Sequence, residues 1–436
     1  MARPSKHPLF DSLKDLIALF PDDWLQEEAR KTCFIERQRK IDAALFFWNL
    51  VLGFGAGLPG RLEHLRKRYE FIAAETLVPS AFYDRFSPEL ITFLEKCVQH
   101  GLEQTILATE GFPLDLNGLK DILITDATVV VLHEALQSFL PGTRHPAAAK
   151  ISAILSVRAN SVRSLVVTPE AKADVKTLKI GPWIRDNLLL FDLGYYKFAL
   201  FEKIDKLNGY FLSRVKSNAN PVITAINKVH RGRSIDLVGR KLQDILGSLR
   251  RQELDVEVEV EFNRRTYKGR TTRAKMNVRM VGLWDAEDEK YHLYFTNLSP
   301  DAFPPEQIAA LYRGRWTIEI LFKELKSRYA LDVINTDNPV VAKALILAAL
   351  LTLIASRCLF QAYQRKAPPK ERNVTSLRWA GMLAEAGNLL VLGILRHLGR
   401  AATLETVLDF YAHGSNRPNP SAEQLSDVFV RKKGLQ

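Results

Sequence analysis

The chain has 436 residues, enough for several domains and a sizeable core, and its 47% hydrophobic and 25% charged content is that of an ordinary soluble globular protein. Its charge balance is unusual: 61 Lys+Arg against 49 Asp+Glu gives a net +12, which suits a polyanionic partner, nucleic acid above all. Cys33, Cys97 and Cys358 lie too far apart for a disulfide framework or a zinc pattern, and MARPSKHPLF lacks the apolar run of a signal peptide.

Residues 1–117 read as a helical region. Apolar residues recur at three-to-four spacing over 10–20 and 27–52, and 61–74 (RLEHLRKRYEFIAA) reads as a basic amphipathic helix. That basic helix makes the region a candidate DNA-binding module rather than a mere helical cap. Gly55, Gly57 and Gly60 satisfy GxGxxG, but a dinucleotide site needs a strand before the glycines. The flanks here look helical, so the glycines are expected to form a turn.

Residues 118–218 change texture. Strands are expected at 121–126 (DILITD), 128–132, 151–158, 161–168, 188–192 (LLLFD) and 210–216, with a helix over 195–207. This mixture predicts an α/β sheet with helices on its faces. Asp126 and Asp192 each fall at the end of an apolar strand. One such Asp is usually a helix cap or a turn residue, but two at matching strand ends suggest a paired site.

Residues 219–299 read as a β-rich insertion. Strict alternation over 254–262 (LDVEVEVEF), with further strands at 276–284 and 291–296, predicts an antiparallel subdomain with one buried face. The segment 263–275 (NRRTYKGRTTRAK) is dense in cations, and Arg264, Arg265 and Lys268 are candidate phosphate contacts. Trp284 and Tyr291 are aromatics that could stack on a base, although a strand aromatic more often packs in a core.

Residues 300–339 contain one expected long helix over 304–331, opened by Pro304-Pro305. At about 100° per residue, Tyr312, Arg315, Glu319 and Lys326 share an arc of about 60°, with Ile318, Leu321 and Leu325 opposite. A lone carboxylate thus sits among Arg315, Lys323, Lys326 and the ring of Trp316, while Glu319 and Lys323 are also spaced as an ordinary helical ion pair. Beyond 340 the chain returns to helix, over 340–361, 376–386 and 389–398. Its greasiest stretch, 344–354, is too short to span a bilayer and reads as a buried core helix. The turn-like 414–420 and the basic Arg431-Lys432-Lys433 close the chain.

The spacing Tyr312-x2-Arg315-x3-Glu319-x6-Lys326 resembles the Tyr-Arg-Glu-Lys signature of DDE transposases from bacterial insertion sequences, the insertion-sequence-four family. Ile124-Thr125-Asp126-Ala127-Thr128 and Phe191-Asp192-Leu193-Gly194-Tyr195-Tyr196 resemble that family's two aspartate motifs, in the right order. The resemblance covers about residues 120–330. It implies an RNase H-like catalytic core in two parts, 118–218 and 300–339, interrupted by the β-rich insertion and flanked by helical N- and C-terminal regions. By the same resemblance Asp126, Asp192 and Glu319 are the catalytic metal ligands for two Mg²⁺ ions, with Mn²⁺ as a substitute, and Tyr312, Arg315 and Lys326 contact transposon-end phosphates. A hard cation wants oxygen ligands, and two such ions about 3.5–4 Å apart can clamp both oxygens of a phosphodiester displacement. The expected partners are double-stranded DNA at transposon ends and target, and a second copy in a synaptic homodimer. No membrane is expected; the setting is the bacterial cytoplasm, at the nucleoid. A catalytically silent DNA-binding regulator and a simpler RNase H-like nuclease are the alternatives.

Overall fold

The structure is a computed structural model that describes residues 8–36, 40–55, 62–107, 116–227, 236–249, 252–264, 272–366 and 374–399. The N-terminal region is helical, as the apolar spacing predicts: α1 (Pro8–Leu19), α2 (Asp22–Lys31), α3 (Ala43–Asn49), α4 (Leu62–Ala73), α5 (Pro79–Tyr83) and α6 (Pro88–Leu107). Asp42 caps α3 by accepting from the Leu45 amide at 2.9 Å, and the helix then packs Phe46 among Phe34, Tyr69, Phe82 and Phe86.

The strands follow as β1 (Asp121–Val131), β2 (Ala148–Ser156) and β3 (Ser161–Pro169), a short α7 (Asp174–Thr177), β4 (Asn187–Phe191), α8 (Phe198–Lys206), β5 (Tyr210–Arg214) and β6 (Val222–Ile226). Next come α9 (Leu242–Leu246), β7 (Glu253–Asn263), β8 (Arg273–Asp285) and β9 (Lys290–Thr296), then α10 (Pro305–Arg313), α11 (Trp316–Arg328), α12 (Pro339–Lys366) and α13 (Ser376–His397). Among the described residues the strands form one sheet in the order β3-β2-β1-β4-β5-β9-β8-β7-β6. β1, β4 and β5 run parallel, and the other pairs are antiparallel.

Alternation sorts the strand side chains between two cores. Ile122, Ile124 and Leu190 join the core shared with α6 and α12, while Leu123, Leu189 and Phe191 join the core beneath Leu200, Phe201 and Ile204 of α8.

Four sequence expectations are corrected. The two β pieces around residue 127 are one continuous β1, because β2 pairs with it along its length. The insertion is no separate β subdomain: β5 pairs with β9 through Ser213↔Phe295, so its alternating strands extend the core sheet. The helix expected over 304–331 breaks between α10 and α11 at Gly314-Arg315, where the amides of Gly314, Arg315, Thr317 and Ile318 bond back three residues rather than four. Residues 376–398, read as two helices, lie within the single α13 and its C-cap.

The basic helix near residue 66 is α4, and much of its charge is engaged. Arg66 pairs with Glu70 at 2.6 Å, Lys67 with Glu63 at 2.9 Å, and the half-buried Arg68 donates to the Asn49 carbonyl at 3.2 Å. The glycine motif does follow a helical flank. A five-residue π turn, Leu50–Phe54, frees the Val51 carbonyl, which accepts from Thr352 Oγ1 of α12 at 2.7 Å. A Cβ on Gly55 would lie 1.7 Å from that same oxygen, so helix packing requires this glycine. The stretch 344–354 lies in α12, whose 28 residues could cross a bilayer by length and composition, yet its most apolar window is 83% buried in the fold.

α11 is tied to α12 by charge. Glu324 accepts two bonds from Arg357, at 2.8 and 2.9 Å, with both side chains almost fully buried, and Arg357 also donates to Asn160 at 3.1 Å. Tyr329 donates to Ser356 at 2.7 Å beside them. Removing one partner leaves a buried charge uncompensated, so Arg357→Met is expected to destabilise the fold by about 3–5 kcal/mol. The double variant Glu324→Leu/Arg357→Met should recover most of that. Urea denaturation midpoints would check both.

Candidate active site

The site begins with strand register. In the parallel β1–β4 ladder Thr125 pairs with Phe191, so Asp126 and Asp192 come next at the same level on neighbouring strands, about 4.8 Å apart along the sheet. Asp126 is therefore not at a strand end, as the sequence suggested: β1 runs on to Val131 against β2. The parallel ladder ends there, and that is the boundary that matters. Asp126 shares its face with Ile124, the side on which α11 lies.

α11 contributes the third carboxylate. Its buried Ile318, Leu321 and Leu325 pack on the core as expected, each burial contributing about 1.5–3 kcal/mol, and Glu319 is left on the cleft side. Asp126, Asp192 and Glu319 line one open cleft of about 550 Å³ together with Thr128, Arg315 and Lys323. Lys326, Ser327 and Asp332 complete its wall. Arg315 ties the carboxylates together: its guanidinium donates to Glu319 at 2.6 Å and reaches Asp126 at 3.4 Å. Glu319 thus takes Arg315, one turn before it, as its partner rather than the expected Lys323, one turn after it.

The other candidates divide. Lys323 and Lys326 face the cleft, and Trp316 at its rim is 64% exposed. Tyr312 does not line the cleft, but its hydroxyl lies within electrostatic reach of Arg315 and Asp192. The joint leaves it on α10, 8% exposed, its ring 5.2 Å from that of Tyr294. Arg264 is engaged by Glu202, its Nε donating at 3.2 Å, and so is not a free phosphate contact. Arg265 and Lys268 lie outside the described residues, as do 414–420 and the basic 431–433. Trp284 and Tyr291 face each other across β8 and β9 with rings 5.1 Å apart, Trp284 staying 41% exposed. Sequence reasoning passed over Ser327 and Asp332, which carry no motif, and gave Thr128, though within the first aspartate motif, no role. It also missed Arg214: Phe191 pairs with Ser213, so Arg214 stands level with Asp192 on the third parallel strand.

The electrostatics match the crowding. The Asp126 carboxyl is pushed up to about 6, first by burial and further by Asp192 and Glu319, against the Ala127 amide and Arg315, which lower it. Three partly buried carboxylates in one cleft form a hard oxygen donor set suited to divalent cations. Elsewhere Asp285, Asp288 and His292 bring two carboxylate oxygens and a ring nitrogen within 4.8 Å of one another. The Asp285 carboxylate is already satisfied by the amides of Glu287 and Asp288 in its own turn.

Two aspartates level with one another on neighbouring parallel strands of a mixed sheet, with a glutamate on a helix packed over them, form one carboxylate cluster on an RNase H-like core. Residues 117–355 match the transposase DDE domain family. The chain is 23% identical over 413 residues to the transposase for insertion sequence element IS231F of Bacillus thuringiensis subsp. israelensis, covering 86% of this chain and 85% of that one. It is 24% identical over 355 residues to the transposase for insertion sequence element IS1151 of Clostridium perfringens, covering 74% of each. A solved piggyBac transposase synaptic complex with hairpin DNA is a more distant likeness, with 11% identity and a TM-score of 0.47 over 95% of this chain and 88% of that chain. The chain thus belongs to the DDE transposase family, and it is an enzyme of DNA transposition.

A raised Asp126 means that the folded protein holds a proton the unfolded chain has released between about pH 4 and 6. This group's contribution is therefore most favourable below the unfolded value and is lost as pH rises through about 6. With EDTA present, Asp126→Asn should be more stable than wild type at pH 7 by about 1–2 kcal/mol and equal to it near pH 4. Parallel urea titrations at the two pH values measure this, and equal stability at both would show that the carboxyl carries no such penalty.

Proposed function

We propose that Asp126, Asp192 and Glu319 hold two divalent cations, Mg²⁺ with Mn²⁺ as a substitute, and that the chain cuts and rejoins DNA at the ends of its own transposon. The convergence of the three carboxylates on one cleft with Arg315, Lys323 and Lys326 carries this reading. When bound, the cations supply positive charge to the attacking and leaving oxygens of a phosphodiester.

The chain's own groups do the rest. Arg315, Lys323 and Lys326 form a cationic wall against which the scissile phosphate is held and its developing charge offset. The exposed Trp316 offers a flat apolar surface beside it, and Asp192 and Asp126 fix the phosphate's approach from the sheet side. In the first displacement water attacks phosphorus, the P–O3′ bond breaks, and the released 3′-hydroxyl becomes the next nucleophile. The oxygen of that hydroxyl attacks a phosphorus either in target DNA or in the opposite strand, where it closes a hairpin; the P–O3′ bond there breaks and its oxygen leaves as a new 3′-hydroxyl, taking up the proton. Both displacements are in-line, so one site serves each in turn.

Holding two transposon ends together calls for two copies, and we assign the working form as a homodimer acting in the bacterial cytoplasm, at the nucleoid. The cationic wall opposite intact carboxylates favours this reading over a silent regulator or a simple nuclease. Arg315→Ala and Lys326→Ala should each slow cleavage of a labelled terminal-repeat duplex by about 10²-fold while leaving its binding within about threefold. The same assay should lose activity on EDTA addition and regain it with excess Mg²⁺. Equal losses in binding and cleavage would mean that these residues only add charge.

A further inference from the structure

We propose that a second groove, on the opposite face of the same sheet, binds the phosphodiester backbone of DNA that runs past the active site; this rests on the transposase reading above. The groove, about 460 Å³, lies between β2, β3 and the segment 172–183. It is lined by Arg163, Lys172, Lys176 and Lys179, with Trp183 and the hydroxyl of Ser152.

Strand alternation fixes its place relative to the chemistry. Thr125 lines this groove while the next residue, Asp126, lines the catalytic cleft, so one strand separates the two. A wall is shared as well. α7, which carries Lys176, packs against the turn Leu193–Tyr195 directly after Asp192. The approach is so close that a Cβ on Gly194 would lie 3.0 Å from Asp174 Oδ2. The groove and the catalytic cleft thus lie on either side of the Leu193–Tyr195 turn and α7.

The lining selects a polyanion with flat bases. Lys172, Lys176 and Lys179 are exposed, and among the described residues none forms an ion pair with an acid. Asp174, in the same segment, pairs with Lys150 at 2.8 Å, and Arg163 lies within electrostatic reach of the buried Asp121. Arg163 lies over the Trp183 ring at 5.7 Å, so cation and π surface adjoin, the combination that tracks a nucleic-acid strand. Ser152 supplies an independent sign of a ligand: it is 7% exposed, and its hydroxyl faces the groove without a hydrogen-bond partner among the described residues. A phosphate oxygen would satisfy it. The DNA could come from the flank beyond the transposon end or from the target duplex, and both present the same backbone.

The test compares Lys172→Gln/Lys176→Gln/Lys179→Gln with a control triple that removes equal charge elsewhere, Lys31→Gln/Lys67→Gln/Lys290→Gln. Three readouts are taken: anisotropy binding of a terminal-repeat duplex ending flush at the transposon end, binding of the same duplex with a flank, and strand transfer of pre-cut ends into a plasmid. If the groove holds the flank, the groove triple loses about tenfold in affinity for the flanked duplex only, and the salt slope of that binding falls by about 2–3. If it holds target, flush and flanked binding are unchanged and strand transfer falls by about tenfold. No change in any readout relative to the control triple overturns the groove, as does an equal loss on the flush duplex. Wild type that neither cuts nor joins sinks the transposase reading instead, while the flanked-versus-flush comparison still decides whether the groove binds DNA.

Discussion

The site depends first on one register in one parallel ladder. Because Thr125 pairs with Phe191, the next residue on each strand is an aspartate, and the two carboxylates are delivered to one level of the sheet by backbone hydrogen bonds rather than by side-chain packing. A shift of one residue in either strand would turn its aspartate to the other face, into the core beneath α8. The same level continues to Arg214 on β5, so the sheet presents acid, acid and cation in a row. At this place Asp126 has its carboxyl raised to about 6, first by burial and then by Asp192 and Glu319.

The second constraint is the docking of α11. A helix laid over a sheet through Ile318, Leu321 and Leu325 can slide, since apolar contact has no direction. Glu324 and Arg357 remove that freedom, because a two-pronged buried ion pair tolerates little displacement. Glu319 lies little more than one turn from Glu324, so the brace that holds the helix also positions the carboxylate assigned here to the catalytic site. N-terminal helices, sheet and α12 contribute to the same core, and the site inherits its rigidity from the whole fold.

The chemistry was more legible in the sequence than the architecture around it. Asp126, Asp192 and Glu319 could be picked out because residue type and spacing carry a resemblance, and the cleft brings all three together with Arg315, Lys323 and Lys326. Tyr312 was put on one unbroken helix with Glu319 because a uniform helical wheel assumes a uniform helix; three-residue bonding at Gly314-Arg315 breaks that assumption, yet the Tyr312 hydroxyl still lies within electrostatic reach of Arg315 and Asp192. The join of β5 to β9 was not visible, since alternation reports that a strand has a buried face but not which strand it pairs with. Arg66 and Lys67 read as a DNA-binding surface because a one-dimensional charge count does not show that each has an acid one turn away. The brace between Glu324 and Arg357 joins residues 33 apart in the chain and has no local signature at all.

The most direct test of the central claim, that the helix-borne glutamate completes a metal-dependent catalytic site, is a combined cleavage and strand-transfer assay on a labelled terminal-repeat duplex with Mg²⁺, comparing wild type with Glu319→Ala. The account predicts cutting and joining by wild type, neither by the variant, and undiminished duplex binding by both. Cutting by both proteins would contradict it, since the site would then work without the residue around which α11 is placed.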